Sequence, residues 1–273
     1  MFFGGDLELQ GQILESREIM RIRTLVECLS RGLVFRRRMP RRFRCLPIYV
    51  TPEAGLRYWG AISKVDPFLF DMADEMVKPG SVVWDVGANV GLFSACAAAL
   101  AGESGQVLAI EPDVWLASLI NRTSRSLAAE KYRCAQIMVL SAAISDESGI
   151  SKLAIARRAR ASNYLVDAGG SVEANGIRHL QQTVVLTLDQ LLEEYAPPSV
   201  LKIDAETHEL HILRGSRRLL QDIKPTIWCE VSAENSMEVA SLLHEMGYKL
   251  YGAQKRPHPL IERAWFHTLA LPV

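Results

Sequence analysis

Two acidic side chains stand where a nucleoside carrying a cationic amino acid would need them. Asp85 closes a short apolar run, and the turn after it reads Gly87-Ala88-Asn89-Val90-Gly91. Glu111, followed by Pro112, closes the next apolar run twenty residues after Gly91. Ligands of doubly wound α/β sheets bind outside the carboxyl ends of the strands, where an acid after the second strand can accept ribose hydroxyls. A dinucleotide fingerprint needs G-x-G-x-x-G, so that backbone amides can approach a pyrophosphate. Here Asn89 and Leu92 occupy the second and third glycine positions. A carboxylate at position 85 would repel a phosphate but could hold a cation through Coulomb attraction and charge-assisted hydrogen bonds. The turn therefore predicts a cationic nucleoside ligand such as S-adenosylmethionine, not NAD.

A second group of reactive side chains follows the run Val200 to Ile203: Asp204, Glu206 and His208. Activation of a hydroxyl nucleophile needs a carboxylate, an imidazole or a metal within hydrogen-bond reach. The trio is the expected catalytic set, set against plainer roles: a helix cap for Asp204, a turn ion pair for Glu206, a solvated first-turn position for His208. His208 and His211 lack the H-E-x-x-H spacing that puts two imidazoles one helical turn apart, so no dedicated zinc site is expected. A loosely held divalent ion on the trio stays open.

The elements that must position these groups alternate. Buried-strand runs at Val82 to Val86, Val107 to Ile110, Ile137 to Leu140, Val200 to Ile203 and Thr226 to Val231 are separated by helix-like stretches. Those stretches cover Leu92 to Ala101, Val114 to Ala128, Leu188 to Tyr195, Glu209 to Gln221 and Ser236 to Met246. Such alternation implies a parallel sheet covered on both faces. Lys249 to Tyr251 and Trp265 to Leu271 have no helix between them and predict an antiparallel hairpin at one edge. Residues 145–182, with Gly169-Gly170, fit no βα unit and read as an inserted hairpin and loop. Asp66-Pro67 opens a helix that Pro79-Gly80 ends. Upstream, Ile13, Ile19, Ile22, Val26 and Leu29 recur at mostly helical spacing, which suits an amphipathic appendage. The division expected is an appendage and basic joint over 1–65 and a main domain over 66–273.

Composition removes several classes. With 31 Lys and Arg against 31 Asp and Glu, the chain has no global attraction to nucleic acid or an anionic membrane. Residues 31–44 hold seven arginines and no acid, which reads as a solvated joint, a site for an anionic substrate, or a nucleic-acid track. A nucleic-acid partner is disfavoured because no module interleaving aromatic and basic residues accompanies the arginines, and Ile203-Asp204-Ala205-Glu206 is not a turn that would hold a nucleobase amine. Five scattered cysteines, none in a C-x-x-C spacing, argue against a disulfide framework and for a reducing cytoplasm. No apolar stretch approaches the roughly 20 residues of a membrane span, and the N-terminus lacks the order of a secretory signal. The N-terminal helix offers a surface for self-association.

The segments VWDVGANVGLFS, AIEP, LSAAISDESG, TLDQLL and LKIDAETHELHILRGSRRLL resemble, in order and spacing, the FkbM-type family of S-adenosylmethionine-dependent methyltransferases. The resemblance runs from about Asp66 onward. It implies a class I, Rossmann-like doubly wound fold of seven strands and, for most members, O-methylation of sugar or natural-product hydroxyls. Carried over, Asp85, Gly87, Asn89 and Gly91 correspond to the cofactor's amino-acid cradle, Glu111 to its ribose ligand, Ala142 to a backbone neighbour of adenine, Asp66 to a supporting acid, and Ser162-Asn163-Tyr164 to a small polar motif that would hydrogen-bond the substrate or close over it. The family reads K-I-D-x-E-G-x-E after the fourth strand, whereas this chain has Thr207 in place of the glycine and His208 beside it. The small hydroxylated acceptor so implied competes with two other readings: an RNA or protein methyltransferase, and an inactive cofactor-binding interaction module.

Overall fold

The computed structural model describes Val26 and residues 29–157, 160–166 and 176–273. Most of the expected N-terminal helix and the Gly169-Gly170 pair lie outside the described residues.

Apolar runs build one large sheet. Strands β3 (Val82–Val86), β4 (Gln106–Ile110), β5 (Gln136–Leu140), β10 (Val200–Ile203) and β11 (Thr226–Glu230) are parallel. With β12 (Tyr248–Gly252), β13 (Leu260–Ile261) and β14 (His267–Pro272) they give the order β13-β12-β14-β11-β10-β3-β4-β5. The sheet thus has eight strands, not seven, because the two-residue β13 adds an outer edge. The antiparallel pair expected near that edge is present as β12 and β14, with β14 inserted between β12 and β11 and antiparallel to both.

Side chains alternate across the sheet, so each face has its own core. Val83, Val107, Ala109 and Trp228 pack on one face under α1 (Pro67–Met76), α2 (Leu92–Ala101) and α3 (Val114–Ala129). Trp84, Leu108, Leu201 and Ile227 pack on the other with α4 (Leu188–Leu191), α5 (Glu209–Arg214) and α6 (Ser236–Glu245). α2 reads LFSACAAALA, and its small side chains let it lie buried nearly all round. The helix expected over 209–221 breaks after α5. A Cβ on Gly215 would stand 2.3 Å from the Ser145 carbonyl oxygen, so the helix end is pressed against the loop after β6 (Ala143–Ile144).

The insertion forms a second sheet, β6-β9-β7-β8, from β7 (Gly149–Ala156), β8 (Tyr164–Leu165) and β9 (Ile177–Leu186). In the described part of 1–65, β1 (Phe35–Arg38) and β2 (Pro47–Val50) pair as a hairpin. The hairpin lies against α3, where the Tyr49 amide donates to Thr123 Oγ1 at 3.0 Å. Phe43, Leu46, Ile48 and Tyr58 share the first core cluster with the sheet. Among the described residues no helix is long and apolar enough to cross a membrane.

Candidate active site

A cavity of about 220 Å³ opens at the carboxyl ends of β3, β4, β10 and β11. Its floor is the turn after β3. Gly87 has φ +72°, and a Cβ there would lie 1.7 Å from the Asp204 carbonyl oxygen, so two strand-end loops touch backbone to backbone. Only glycine fits that crossing. Asn89 has φ +54°, a conformation its short polar side chain tolerates. Its amide donates to Glu111 Oε2 at 2.7 Å, while its own Oδ1 is buried with no hydrogen-bond partner. Glu111 Oε1 accepts from the Asp113 amide at 2.9 Å. Burial pushes the Glu111 carboxyl up to about 8, against the pull of these two amides. Ala142 lines the same cavity.

Asp85 sits elsewhere than expected. It is fully buried, with Oδ2 accepting from Ser94 Oγ at 2.6 Å and Oδ1 facing Lys202 Nζ at 3.1 Å, and it is not among the cavity-lining residues. Lys202, which faces Asp85, lines the cavity in its place. Lys202 is opposite Asp85 in the β3–β10 register. It donates to the Gly87 carbonyl at 3.2 Å and lies 3.4 Å from Asp204 Oδ2. Burial works against its charge, yet Asp85 and Asp204 overcome this and raise its pKa. The sequence reading gave Lys202 no role, although it sits within the quoted motif. Gly91 also lies off the cavity: with φ +81° it caps α2, and a Cβ would meet Ile120 at 3.2 Å.

Asp204, Glu206 and His208 all line the cavity. The turn that carries them is strained, for Glu206 has φ +23° and Thr207 φ +66°, a region costly to a β-branched residue. Asn235 Nδ2 anchors the turn by donating to the Thr207 carbonyl at 3.1 Å and to Glu209 Oε2 at 3.2 Å. His208 is 8% exposed, and burial, with the neighbouring His211 second, lowers its pKa to about 4. It is therefore neutral at physiological pH. Asp66 lines the cavity while capping α1, its Oδ1 accepting from the Leu69 amide at 2.9 Å.

Glu230, at the end of β11, is a cavity acid that sequence reasoning missed. Its signal was available, since it ends a buried run as Asp85 does. Burial first and Asp204 second raise its pKa, and His267 Nδ1 lies 3.4 Å from Oε1.

The roof was not foreseen. Arg160, 9% exposed, places Nη1 2.5 Å from Asp113 Oδ2 and Nε 3.3 Å from Glu53 Oε2. Arg178 reaches the same Glu53 oxygen at 2.7 Å. Asn163 lines the cavity, but its side chain accepts from the Ala156 amide and donates to Asp113 Oδ2 at 2.8 Å; Ser162 lies off the cavity wall. No arginine of residues 31–44 lines the cavity. Arg42 instead pairs with Asp71 at 2.9 Å and Asp74 at 2.8 Å, and Arg36 with Glu130.

A doubly wound sheet with a crevice at the carboxyl ends of its parallel strands is the architecture of the Rossmann-like class. The methyltransferase FkbM domain family matches residues 85–250, and the chain belongs to it. The family is one of methyltransferase domains. Among solved structures the chain is similar to methyltransferase FkbM from Methylobacillus flagellatus KT: 14% identity, TM-score 0.46, covering 81% of this chain and 58% of that one. It is also similar to a precorrin-6y C5,15-methyltransferase from Geobacter metallireducens GS-15, at 12% identity and TM-score 0.42, covering 76% of this chain and 88% of that one. A third is an S-adenosylmethionine-dependent O-methyltransferase from Thermotoga maritima, at 14% identity and TM-score 0.36, covering 77% and 65%. No match was found among curated proteins.

Proposed function

We propose that this enzyme transfers the methyl group of S-adenosylmethionine to a hydroxyl of a small sugar-containing or secondary-metabolite acceptor. The observation that carries the reading is one cavity with two unlike walls. Gly87, Asn89, Glu111 and Ala142 form the first, and Asp204, Glu206, His208 and Glu230 form the second. The residues fit a cationic nucleoside: several acids face the space against the cations Lys202, Arg57 and Arg160, and the buried Asn89 Oδ1 is left to accept from a ligand. When bound, the cofactor supplies an electrophilic methyl on a sulfonium whose charge vanishes on transfer.

The chain's own work is alignment and proton handling. Glu111, braced by two backbone amides, presents lone pairs to ribose hydroxyls. Asp85 holds Lys202, and Lys202 ties the β3 turn to Asp204, so both walls are set by one buried ion pair. In-line displacement depends on that fixed geometry and on exclusion of water. Asp204 or the neutral His208 takes the proton of the acceptor hydroxyl as it attacks.

Calorimetry with the purified chain tests the first half. S-adenosylmethionine should bind, NAD should not, and Glu111→Gln should weaken binding by about tenfold or more, the equivalent of one good hydrogen bond. Unchanged affinity in Glu111→Gln would refute the assignment. Mass spectrometry across methyl glycosides and glycosylated metabolites tests the second half, since each true acceptor gains the mass of one methylene. Methylation confined to RNA or protein in the same screen would replace the small acceptor.

A further inference from the structure

His208 keeps an unexplained atom. Its Nδ1 is buried without a hydrogen-bond partner, an arrangement that costs about 1–3 kcal/mol when nothing fills it. The other ring nitrogen is committed: Nε2 lies 2.9 Å from Ser145 Oγ. Ser145 has one hydroxyl proton, and it is donated to Asp146 Oδ1 at 2.9 Å. The contact with His208 must then be one in which Ser145 accepts and Nε2–H donates. A neutral imidazole carries one proton, so Nδ1 is left with a bare lone pair.

The neighbours fix this arrangement from three sides. Asp146 Oδ2 lies 3.0 Å from His211 Nδ1, which spends the second oxygen of that carboxylate. The His211 ring stacks on His208 at 4.7 Å between centroids and 12° between planes, which fixes the plane of the His208 ring. Ser145 is itself immobilised, its amide donating to the Leu186 carbonyl at 3.0 Å and its own carbonyl abutting Gly215. Glycine at 215 is what permits that approach. Position 208 is also where this chain adds a histidine beside the replaced glycine of the family pattern.

We infer that Ser145, Asp146 and His211 are positioning residues that hold His208 as the Nε2–H tautomer, so that Nδ1 is offered to a proton-donating group of the methyl acceptor. This deepens the proposed reading of the cavity and rests on it for the identity of the donor. Atoms balance simply: the acceptor's O–H proton passes to Nδ1 as its oxygen gains the methyl group, giving a transient imidazolium that Ser145 faces and that later releases the proton to water.

Nitrogen-15 NMR of the full-length chain labelled at histidine reads the tautomer directly, with His208→Gln assigning the signals. At neutral pH the wild type should show a protonated Nε2 and an unprotonated Nδ1 at position 208. Ser145→Ala should lose that single-tautomer signature while binding S-adenosylmethionine with unchanged affinity by calorimetry. Asp146→Ala, which keeps Ser145 but frees its proton, should also mix the tautomers. A protonated Nδ1 in the wild type, or an intact signature in Ser145→Ala, overturns the assignment. With an acceptor from the mass-spectrometric screen, Ser145→Ala should lower single-turnover rate about tenfold at unchanged cofactor affinity, within the range of general-base contributions; an unchanged rate also overturns it. Failure of the wild type to bind S-adenosylmethionine would sink the proposed function instead, and leave the tautomer to stand or fall on its own spectrum.

Discussion

The floor and the roof of the cavity are built from charges in opposite ways. On the floor, Lys202 and Asp85 meet because β10 and β3 are parallel neighbours in register, so the pairing follows from strand order. On the roof, Arg160 meets Asp113 and Glu53 across 47 and 107 residues of sequence, and no sheet register brings them together. The floor is a property of the fold. The roof is a property of this chain's insertion and N-terminal segment, which supply Arg160, Arg178 and Glu53.

Breaking the roof should cost most. Asp113 partners Arg160 and Asn163 and also caps α3 by accepting from the Trp115 amide at 2.9 Å. Asp113→Ala leaves the buried Arg160 guanidinium only its longer contact with Glu53 and should lower unfolding free energy by about 3–5 kcal/mol, with about 1 more for the lost cap. Urea denaturation measures it, and a loss under about 1 kcal/mol would mean the roof is only a surface contact. On the floor, Lys202→Met leaves Asp85 alone and should cost about 3–5 kcal/mol. Adding Asp85→Asn should restore most of that loss, because removing both charges removes the unpaired one. A double variant no better than the single would mean that Lys202 acts through Asp204 instead.

The third test is chemical. Glu111 keeps its proton up to about pH 8 in the free protein. A cation in the cavity favours the carboxylate, so binding below that pH releases a proton, and affinity should rise by up to about tenfold per pH unit from pH 6 to 8 before levelling. Calorimetry at three pH values checks this, and a flat profile would separate Glu111 from the charge of the ligand. The smallest effect tests the strained turn. Thr207→Gly relieves φ +66° but frees the unfolded chain, for a net gain of about 1 kcal/mol, or about 2–4 °C in Tm at this length. A lower Tm would show that the threonine side chain stabilises the turn by more than its backbone costs.

The floor was largely legible before any coordinates. Asp85, Gly87, Asn89 and Glu111 lie in short contiguous segments whose geometry a strand–turn–helix unit dictates, and all but Asp85 and Gly91 of the foreseen cofactor residues reach the cavity. The place of Asp85 behind Lys202 was not legible, because the sequence does not show which acid a neighbouring strand will neutralise; the register that sets Lys202 against it is tertiary. Arg160 and Glu53 carried no periodic signal at all. The break after α5 likewise depends on Ser145, some seventy residues away, and β13 is too short to leave a pattern.

One strand has a consequence for how the molecule assembles. Residues 267–272 slot between β11 and β12, both of which precede them in the chain, and His267 packs its ring 4.2 Å from that of Phe68 on α1. Until that slot is filled, β11 and β12 each present a raw edge able to recruit a stranger's strand. The newborn polypeptide must therefore hold its sheet ajar through the making of some forty residues, and those two edges are where it is open to joining with other chains.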